Sequence, residues 1–296
     1  MWAELLHDIS KGSIAALARA ISLVENEHEG FETLLRQLPA SGTKITGITG
    51  PPGAGKSTLT DALISEIVAK GQTVGVLCID PSSPFHHGAL LGDRIRMSEW
   101  YNHPGVFIRS LATRGNLGGL HPKIIEIADL VKTAGFDQVI IETVGVGQSE
   151  IEIAALADTT VVVLVPEAGD EIQTMKAGLM EIADIFVVNK ADRPDADGFV
   201  KNLRMLLAPA FHRTHAEIAI LKTVAIQKEG IPELYEKITA HQQHDTGNRQ
   251  SWLFAERAYH LIREARMKNT GKEELKKAWE ASAEKNLYKF IQPYLK

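Results

Sequence analysis

An α/β fold built on a mostly parallel sheet, with helical extensions at both ends, is predicted by three observations. Short apolar runs alternate with helix-periodic stretches from Ile45 to about Ala240, the pattern of a sheet covered on both faces. The first of those runs leads directly into a glycine-rich loop and out again into a helical pattern. The segments on either side of this span carry helical spacing only.

Taken in order, residues 2–38 place Leu5, Ile9, Ile14, Leu17, Ile21 and Val24, then Phe31, Leu34, Leu35 and Leu38, at helical intervals. They predict two or three amphipathic helices. Strands are expected at 45–49, 73–79, 105–110, 138–142, 159–165, 184–188 and 220–225, and helices at 56–70, 120–134, 171–182, 198–208 and 231–239. The polar stretch His241-Gln242-Gln243-His244-Asp245-Thr246-Gly247-Asn248 breaks the pattern and reads as a linker. Two more helices are expected at 250–268 and 272–290, the first with Trp252, Leu253, Ala255, Ala258, Tyr259, Leu261 and Ile262 on or near one side. The expected division is an N-terminal helical extension over 1–42, a phosphate-loop domain over 43–240 and a C-terminal helical extension over 241–296. An appended helical pair either packs on its own domain or meets a second copy, and a two-fold homodimer is the expectation.

The 296 residues suffice for one large domain with extensions. With 32 basic and 37 acidic residues, the balance gives no basic surface that would serve nucleic acid. The single cysteine, Cys78, falls inside an apolar strand pattern and reads as a small buried hydrophobe. The N-terminus lacks a charged region followed by a long apolar stretch, and no apolar run is long enough to span a membrane. A soluble cytoplasmic protein is expected.

Gly50-Pro51-Pro52-Gly53-Ala54-Gly55-Lys56-Ser57 follows the run Ile45–Thr49 and precedes the helical pattern that begins at Thr58. A strand, G-x-x-x-x-G-K-S and a helix form the context in which backbone N–H groups turn inward around a phosphate and the helix N-terminus adds its positive end. Lys56 is positioned to reach β- and γ-phosphates, and Ser57 to give its hydroxyl to Mg²⁺. Asn189-Lys190-Ala191-Asp192 follows another apolar run, where a parallel strand ends and a ligand crevice opens. A carboxylate at Asp192 can accept from guanine N1–H and N2–H, a donor pair that adenine lacks. A site built on such pairing rejects the wrong base by roughly 10⁴.

The run Gln138–Ile141 ends at Glu142-Thr143-Val144-Gly145, where a D-x-x-G element would place a carboxylate near Mg²⁺ and a glycine N–H near the γ-phosphate. The carboxylate is Glu, one methylene longer, and can still serve Mg²⁺ through water. Val146 stands where Ras-type GTPases carry the water-orienting glutamine, and Gln148 two positions on is a weak substitute. Asp80 ends an apolar run and precedes Pro81-Ser82-Ser83-Pro84, which points to a loop on the phosphate side. Asp93 fits both a helix N-cap and a switch carboxylate. Arg94, Arg96, Arg109 and Arg114 are candidate γ-phosphate contacts, and His86-His87 has no companion cluster that would make a metal site.

Asp80-Pro81-Ser82-Ser83-Pro84-Phe85, Leu91-Gly92-Asp93-Arg94-Ile95-Arg96-Met97, Arg114-Gly115-Asn116-Leu117-Gly118-Gly119 and Glu142-Thr143-Val144-Gly145-Val146-Gly147-Gln148-Ser149-Glu150 together resemble the MeaB/ArgK family of GTPases. The resemblance covers nearly the whole chain. It implies a SIMIBI-like G domain of the P-loop NTPase class, a homodimer built on the C-terminal extension, and GTP hydrolysis that gates cofactor loading and protects an adenosylcobalamin-dependent acyl-CoA mutase. It implies GTP/GDP and Mg²⁺ as ligands, held by residues 50–58 including Thr58, by Gly145, by Asn189, Lys190 and Asp192, and by Thr223, Val224 and Ala225. Ser57, Asp80, Asp93 and Glu142 would serve the metal, with Lys56, Asp93 and Glu142 as catalytic candidates. Two departures stand out. Glu167 occupies the place of a usual glycine in P-G-x-G-D, and Thr223-Val224-Ala225 replaces T-S-A, so the serine hydroxyl is missing while the Ala225 N–H remains.

A second function class is an ATPase or kinase of an amino-acid (Lys/Arg/Orn) transport system, a name this family has also carried. Asn189 and Asp192 argue for GTP over ATP, and no separate protein-kinase base of the H-R-D type is present. A nickel-delivery GTPase would call for a Cys/His cluster, which one cysteine and scattered histidines do not supply.

Overall fold

The structure is a computed structural model that describes residues 1–80, 97–113, 119–145, 149–168, 177–214, 218–244, 248–268, 270–284 and 286–295. They fall into two units, Met1–Arg249 and Gln250–Lys296.

The first unit is organised by a seven-stranded sheet in the order β3-β2-β4-β1-β5-β6-β7. The strands are β1 (Lys44–Thr49), β2 (Val74–Asp80), β3 (Val106–Ala112), β4 (Gln138–Glu142), β5 (Thr159–Leu164), β6 (Ile185–Asn189) and β7 (Ala219–Thr223). Every neighbouring pair is parallel. All residues of β2 and β5 are buried, as expected where helices cover both faces and the strands read as continuous apolar runs. The order reverses about β1, so the crevice at its C-terminal end is where an α/β sheet admits ligand.

Each face has its own core. One gathers Leu59, Leu63 and Ile64 of α4 (Lys56–Ala69) with Ile48, Val76, Ile140, Val161, Val163 and Val187 from the sheet and with Ile231, Leu234 and Ile238 of a later helix, Ile231–Gln243. The opposite face packs Phe199, Leu203 and Leu207 of the helix Ala196–Thr214 onto Val162, Leu164, Phe186 and Val188. Gly47 of β1 lets the short helical turns after β4 approach, since a Cβ there would meet Ile153 Cγ1 at 2.6 Å and Ala157 Cβ at 2.9 Å.

Three helices precede the sheet: α1 (Trp2–Ser10), α2 (Ile14–Glu25) and α3 (Phe31–Arg36). Ser13 caps α2 by accepting the Ala16 N–H at 3.3 Å. Leu17, Ile21 and Val24 are completely buried, and α2 packs against α5 (Ile124–Thr133). Arg109 of β3 donates to Ser22 Oγ at 3.1 Å and Glu25 Oε2 at 3.0 Å. That removes Arg109 from the γ-phosphate candidates, because its guanidinium is committed to the N-terminal helices.

Among the described residues the remaining α-helices of this unit are α6 (Ser149–Glu152), α7 (Ala177–Ile182), α8 (Ala196–Thr214) and α9 (Ile231–Gln243). The expected linker over 241–248 is shorter than its polarity suggested, since α9 runs through Gln243. The polar residues at its end have partners in the sheet. Gln242 Nε2 donates to Thr46 Oγ1 at 3.1 Å, and His241 Nδ1 lies 2.8 Å from Thr159 Oγ1. Asp184 completes this knot by accepting both Arg249 Nη atoms, at 2.6 and 2.7 Å, and the Thr160 N–H at 2.7 Å. Burial pushes the Asp184 carboxyl upward, but the hydrogen bonds from His241 and Arg249 and their charges outweigh it and hold the group below the usual range.

The second unit continues α10 (Asn248–Met267) and adds α11 (Lys272–Ala281) and α12 (Leu287–Ile291). The single helix expected over 272–290 is interrupted. Ser282 turns extended with its hydroxyl accepting the Glu284 N–H at 3.0 Å, and Asn286 caps α12 by accepting from Tyr288 and Lys289. Short polar side chains that bond the nearby backbone compete with helix continuation.

Candidate nucleotide site

Gly50, Gly53 and Gly55 take φ of 136°, 77° and 89°, conformations that a side chain would strain. Space excludes side chains as well: a Cβ on Gly50 would meet the Val163 carbonyl of β5, and one on Gly55 would meet Asn189 Nδ2. Close packing therefore requires glycine at Gly50 and Gly55, while at Gly53, where a Cβ would meet nothing, only the backbone angle favours it. Gly55 precedes α4 with no side-chain cap on the helix, so the first N–H groups of α4 and its positive end face the loop. Lys56 is buried and donates to Gly50 O at 2.9 Å and Pro51 O at 3.1 Å, which curls its ammonium over the loop. Such a loop can hold a phosphate chain. Thr58 lies in the first turn of α4 and is partly exposed.

The end of β4 meets the same place. Ser57 Oγ donates to Glu142 Oε1 at 2.6 Å, both residues being buried. The extra methylene of Glu142 carries its carboxylate to that hydroxyl. Cys78 of β2 is in register with Glu142, so Asp80, two residues on, projects from the same face of the sheet and ends buried. A hydroxyl and two carboxylates are hard oxygen donors of the kind Mg²⁺ takes alongside waters, and the residues present fit that ion. Thr143 extends the contact between β4 and β1, with its N–H on Ile48 O at 3.0 Å and its hydroxyl on Thr49 Oγ1 at 3.0 Å. Gly145 follows at φ 86°, and a Cβ there would meet Lys56 Nζ and the Gly50 carbonyl. Its backbone thus lies against the lysine ammonium.

The base loop is tied to the phosphate loop through one amide. Asn189 Nδ2 donates to Ala54 O at 3.0 Å, while Asn189 Oδ1 accepts Thr223 Oγ1 and the Ala225 N–H, each at 3.1 Å. Three loops from β1, β6 and β7 are joined by this side chain. Lys190 adopts φ 56° and donates to Gly53 O at 2.8 Å, laying its stem across the gap. The Ala191 N–H donates to Thr223 O at 3.0 Å and the Arg193 N–H to Lys190 O at 3.0 Å, so the loop is a closed turn. Asp192 is exposed on it and makes no hydrogen bond or ion pair among the described residues. Val224 is buried and pairs with Glu229 in an antiparallel bridge. In this arrangement the Ala225 N–H is directed at Asn189, and Thr223 provides a hydroxyl although the serine of T-S-A is missing.

Asp93, Arg94, Arg96, Arg114, Val146, Gln148 and His86-His87 lie outside the described residues. Sequence reasoning missed Arg193, which donates through Nη1 to Glu167 Oε1. That hydrogen bond, aided by the nearby Arg193 and Lys190 charges, holds the Glu167 carboxyl below its usual range. The signal available in sequence was the charged residue at 167 together with an arginine directly after Asn189–Asp192; no local rule joins positions so far apart.

Comparison with known proteins gives the same reading. The family model described as methylmalonyl-CoA mutase-associated GTPase MeaB matches residues 17–282. A protein of Pyrococcus abyssi whose name describes it as a GTPase is 49% identical over 245 residues, covering 81% of this chain and 76% of the relative. The GTPase ArgK of Escherichia coli is 38% identical over 247 residues, covering 80% of this chain and 74% of its own. Among solved structures, an LAO/AO transport system kinase superposes with a TM-score of 0.72 at 26% identity, covering 99% of this chain and 96% of that one. The chain belongs to the MeaB family of methylmalonyl-CoA mutase-associated GTPases, a family of guanine-nucleotide-binding P-loop proteins.

Proposed function

We propose that the protein hydrolyses GTP to GDP and phosphate with Mg²⁺, and that it acts as an auxiliary chaperone for cofactor loading and protection of an adenosylcobalamin-dependent methylmalonyl-CoA mutase. The observation that carries the nucleotide half is the Asn189 amide, which binds the base loop to Ala54 of the phosphate loop and leaves Asp192 open for a ligand.

In this reading the N–H groups at Gly53–Ser57 enclose the β-phosphate, and Lys56 leaves the Gly50 and Pro51 carbonyls for the β- and γ-phosphate oxygens. Ser57, Asp80, Asp93 and Glu142 would hold the metal, which would supply positive charge against the negative charge on the phosphoryl oxygens. Lys56 stabilises the same charge, the Gly145 N–H meets the γ-phosphate, and Asp93 and Glu142 contribute to catalysis through the metal they would hold. Asp192 accepts the guanine N1–H and N2–H, while Asn189, Lys190, Thr223, Val224 and Ala225 shape the base pocket. Intrinsic hydrolysis is slow because Val146 cannot orient a nucleophile.

The mutase half rests on the family's description. The protein works as a cytoplasmic homodimer through its C-terminal helices, where α10 exposes Trp252, Phe254, Tyr259 and Ile262; among the described residues no helix is long and apolar enough to cross a membrane. The name of the superposing kinase keeps an amino-acid transport ATPase or kinase as the second reading, and the Asp192 position argues against ATP as its nucleotide.

Steady-state GTP hydrolysis, titrated with the adenosylcobalamin-dependent methylmalonyl-CoA mutase of the same organism, tests the proposal. A saturable rise in rate supports it. A flat response at all mutase concentrations removes the mutase as the partner that completes the site.

A further inference from the structure

Glu167 and Arg193 have no part in the roles given above, yet their pair borders the base loop. Glu167 lies in the short turn Pro166–Ala168 after β5, and Arg193 closes the Lys190 turn immediately after Asp192. An arginine has the reach to fold onto a carboxylate one residue away, and the guanidinium fork engages both carboxylate oxygens when it does. Here it does not. The Arg193 guanidinium reaches Glu167, and Asp192 makes no hydrogen bond or ion pair among the described residues.

Resting on the guanine reading above, we propose that Glu167 is a positioning residue for base recognition: it draws Arg193 to the β5 side of the crevice and keeps the Asp192 carboxylate available to guanine. Without Glu167 the guanidinium loses the acceptor that holds it, and the adjacent Asp192 carboxylate comes within its reach. Guanine would then have to displace a charge-assisted pair before Asp192 could accept N1–H and N2–H. The Glu167–Arg193 pair is half-exposed, so its effect is that of a surface ion pair and weakens with salt.

The discriminating measurement is the Kd for GDP and for inosine diphosphate, which lacks the 2-amino group, in wild type, Glu167→Ala, Arg193→Gln, the double variant and Asp192→Asn. Glu167→Ala is expected to weaken GDP binding by about two- to five-fold and inosine diphosphate binding by less, so that the preference between them narrows. Adding Arg193→Gln is expected to restore the preference, which a merely structural role for Glu167 would not do. An unchanged preference in Glu167→Ala, or no restoration in the double variant, overturns the proposal. The Asp192→Asn control separates the two levels: if it leaves the preference untouched, the guanine reading itself fails, whereas a change there with none in Glu167→Ala overturns this inference alone.

Discussion

Replacing Asn189 by aspartate alters one atom of the side chain that joins the loops. The carbonyl oxygen that accepts Thr223 Oγ1 and the Ala225 N–H survives, but the NH₂ that donates to Ala54 O at 3.0 Å becomes an oxygen. Ionised, that oxygen faces a buried carbonyl with no proton between them. Protonated, it donates to Ala54 O and rebuilds the native bond, so the protein can escape by keeping the acid neutral. The cost of neutrality at pH 7 is set by the ordinary Asp pKa of about 3.9 and 1.36 kcal/mol per unit, or about 4 kcal/mol. This is an upper limit on the damage, and it is comparable with removing a hydrogen bond and leaving a buried acceptor unsatisfied. The folded pKa is raised, so the unfolded chain releases its proton first and stability falls as pH rises from about 4 towards the folded value. At pH 7 the variant should melt at most about 8–16 °C below wild type, taking about 2–4 °C per kcal/mol for a unit of this size. Near pH 5 most of that gap should close. The assay is nucleotide-free thermal unfolding of both proteins across pH 5–8, with Asn189→Ala as a pH-independent reference. A gap that does not change with pH, or one below about 2 °C at pH 7, would refute the assigned orientation of the amide.

Gly145→Ala should retain the fold but impair nucleotide handling, because the added methyl meets Lys56 Nζ and the Gly50 carbonyl at a φ of 86°; the expected result is at least a ten-fold fall in GTP turnover, about 1.4 kcal/mol, checked by phosphate release. Lys56→Ala should abolish tight nucleotide binding, and retention of wild-type GDP affinity in a fluorescence titration would contradict the phosphate-loop assignment. Asp184→Asn should cost about 2–3 kcal/mol at neutral pH, less than for a fully buried pair because the Arg249 side chain is 29% exposed. Since the native Asp184 carboxyl is held below its unfolded pKa, its contribution is present above about pH 4 and is lost as pH falls through the folded value; wild type and variant should converge on acidification, as unfolding curves at pH 7 and pH 3 will show.

The parts of the fold and site that local chemistry dictates were readable in sequence. Gly50, Gly53 and Gly55 announce positive φ between a strand and a helix, and the runs ending at Glu142 and Asn189 end as strands in the structure. What could not be read depends on partners distant in the chain. The hydrogen bond between Ser57 and Glu142 joins residues 85 apart, and the Asn189 bond to Ala54 joins residues 135 apart. Polarity at 241–243 looked like a linker because nothing local shows that Thr46 and Thr159 wait under the end of α9. Arg109 looked like a phosphate ligand for the same reason: its acceptors, Ser22 and Glu25, come from α2, which precedes the sheet.

Competitive binding of GTP and ATP to the purified protein in the presence of Mg²⁺ tests the central claim most directly. The account predicts that GTP displaces a fluorescent guanine nucleotide while ATP fails to do so even at roughly 10³–10⁴-fold higher concentration, with bound GTP slowly converted to GDP and phosphate. Equal or stronger displacement by ATP would contradict the base-loop assignment and move the protein to the ATPase or kinase reading.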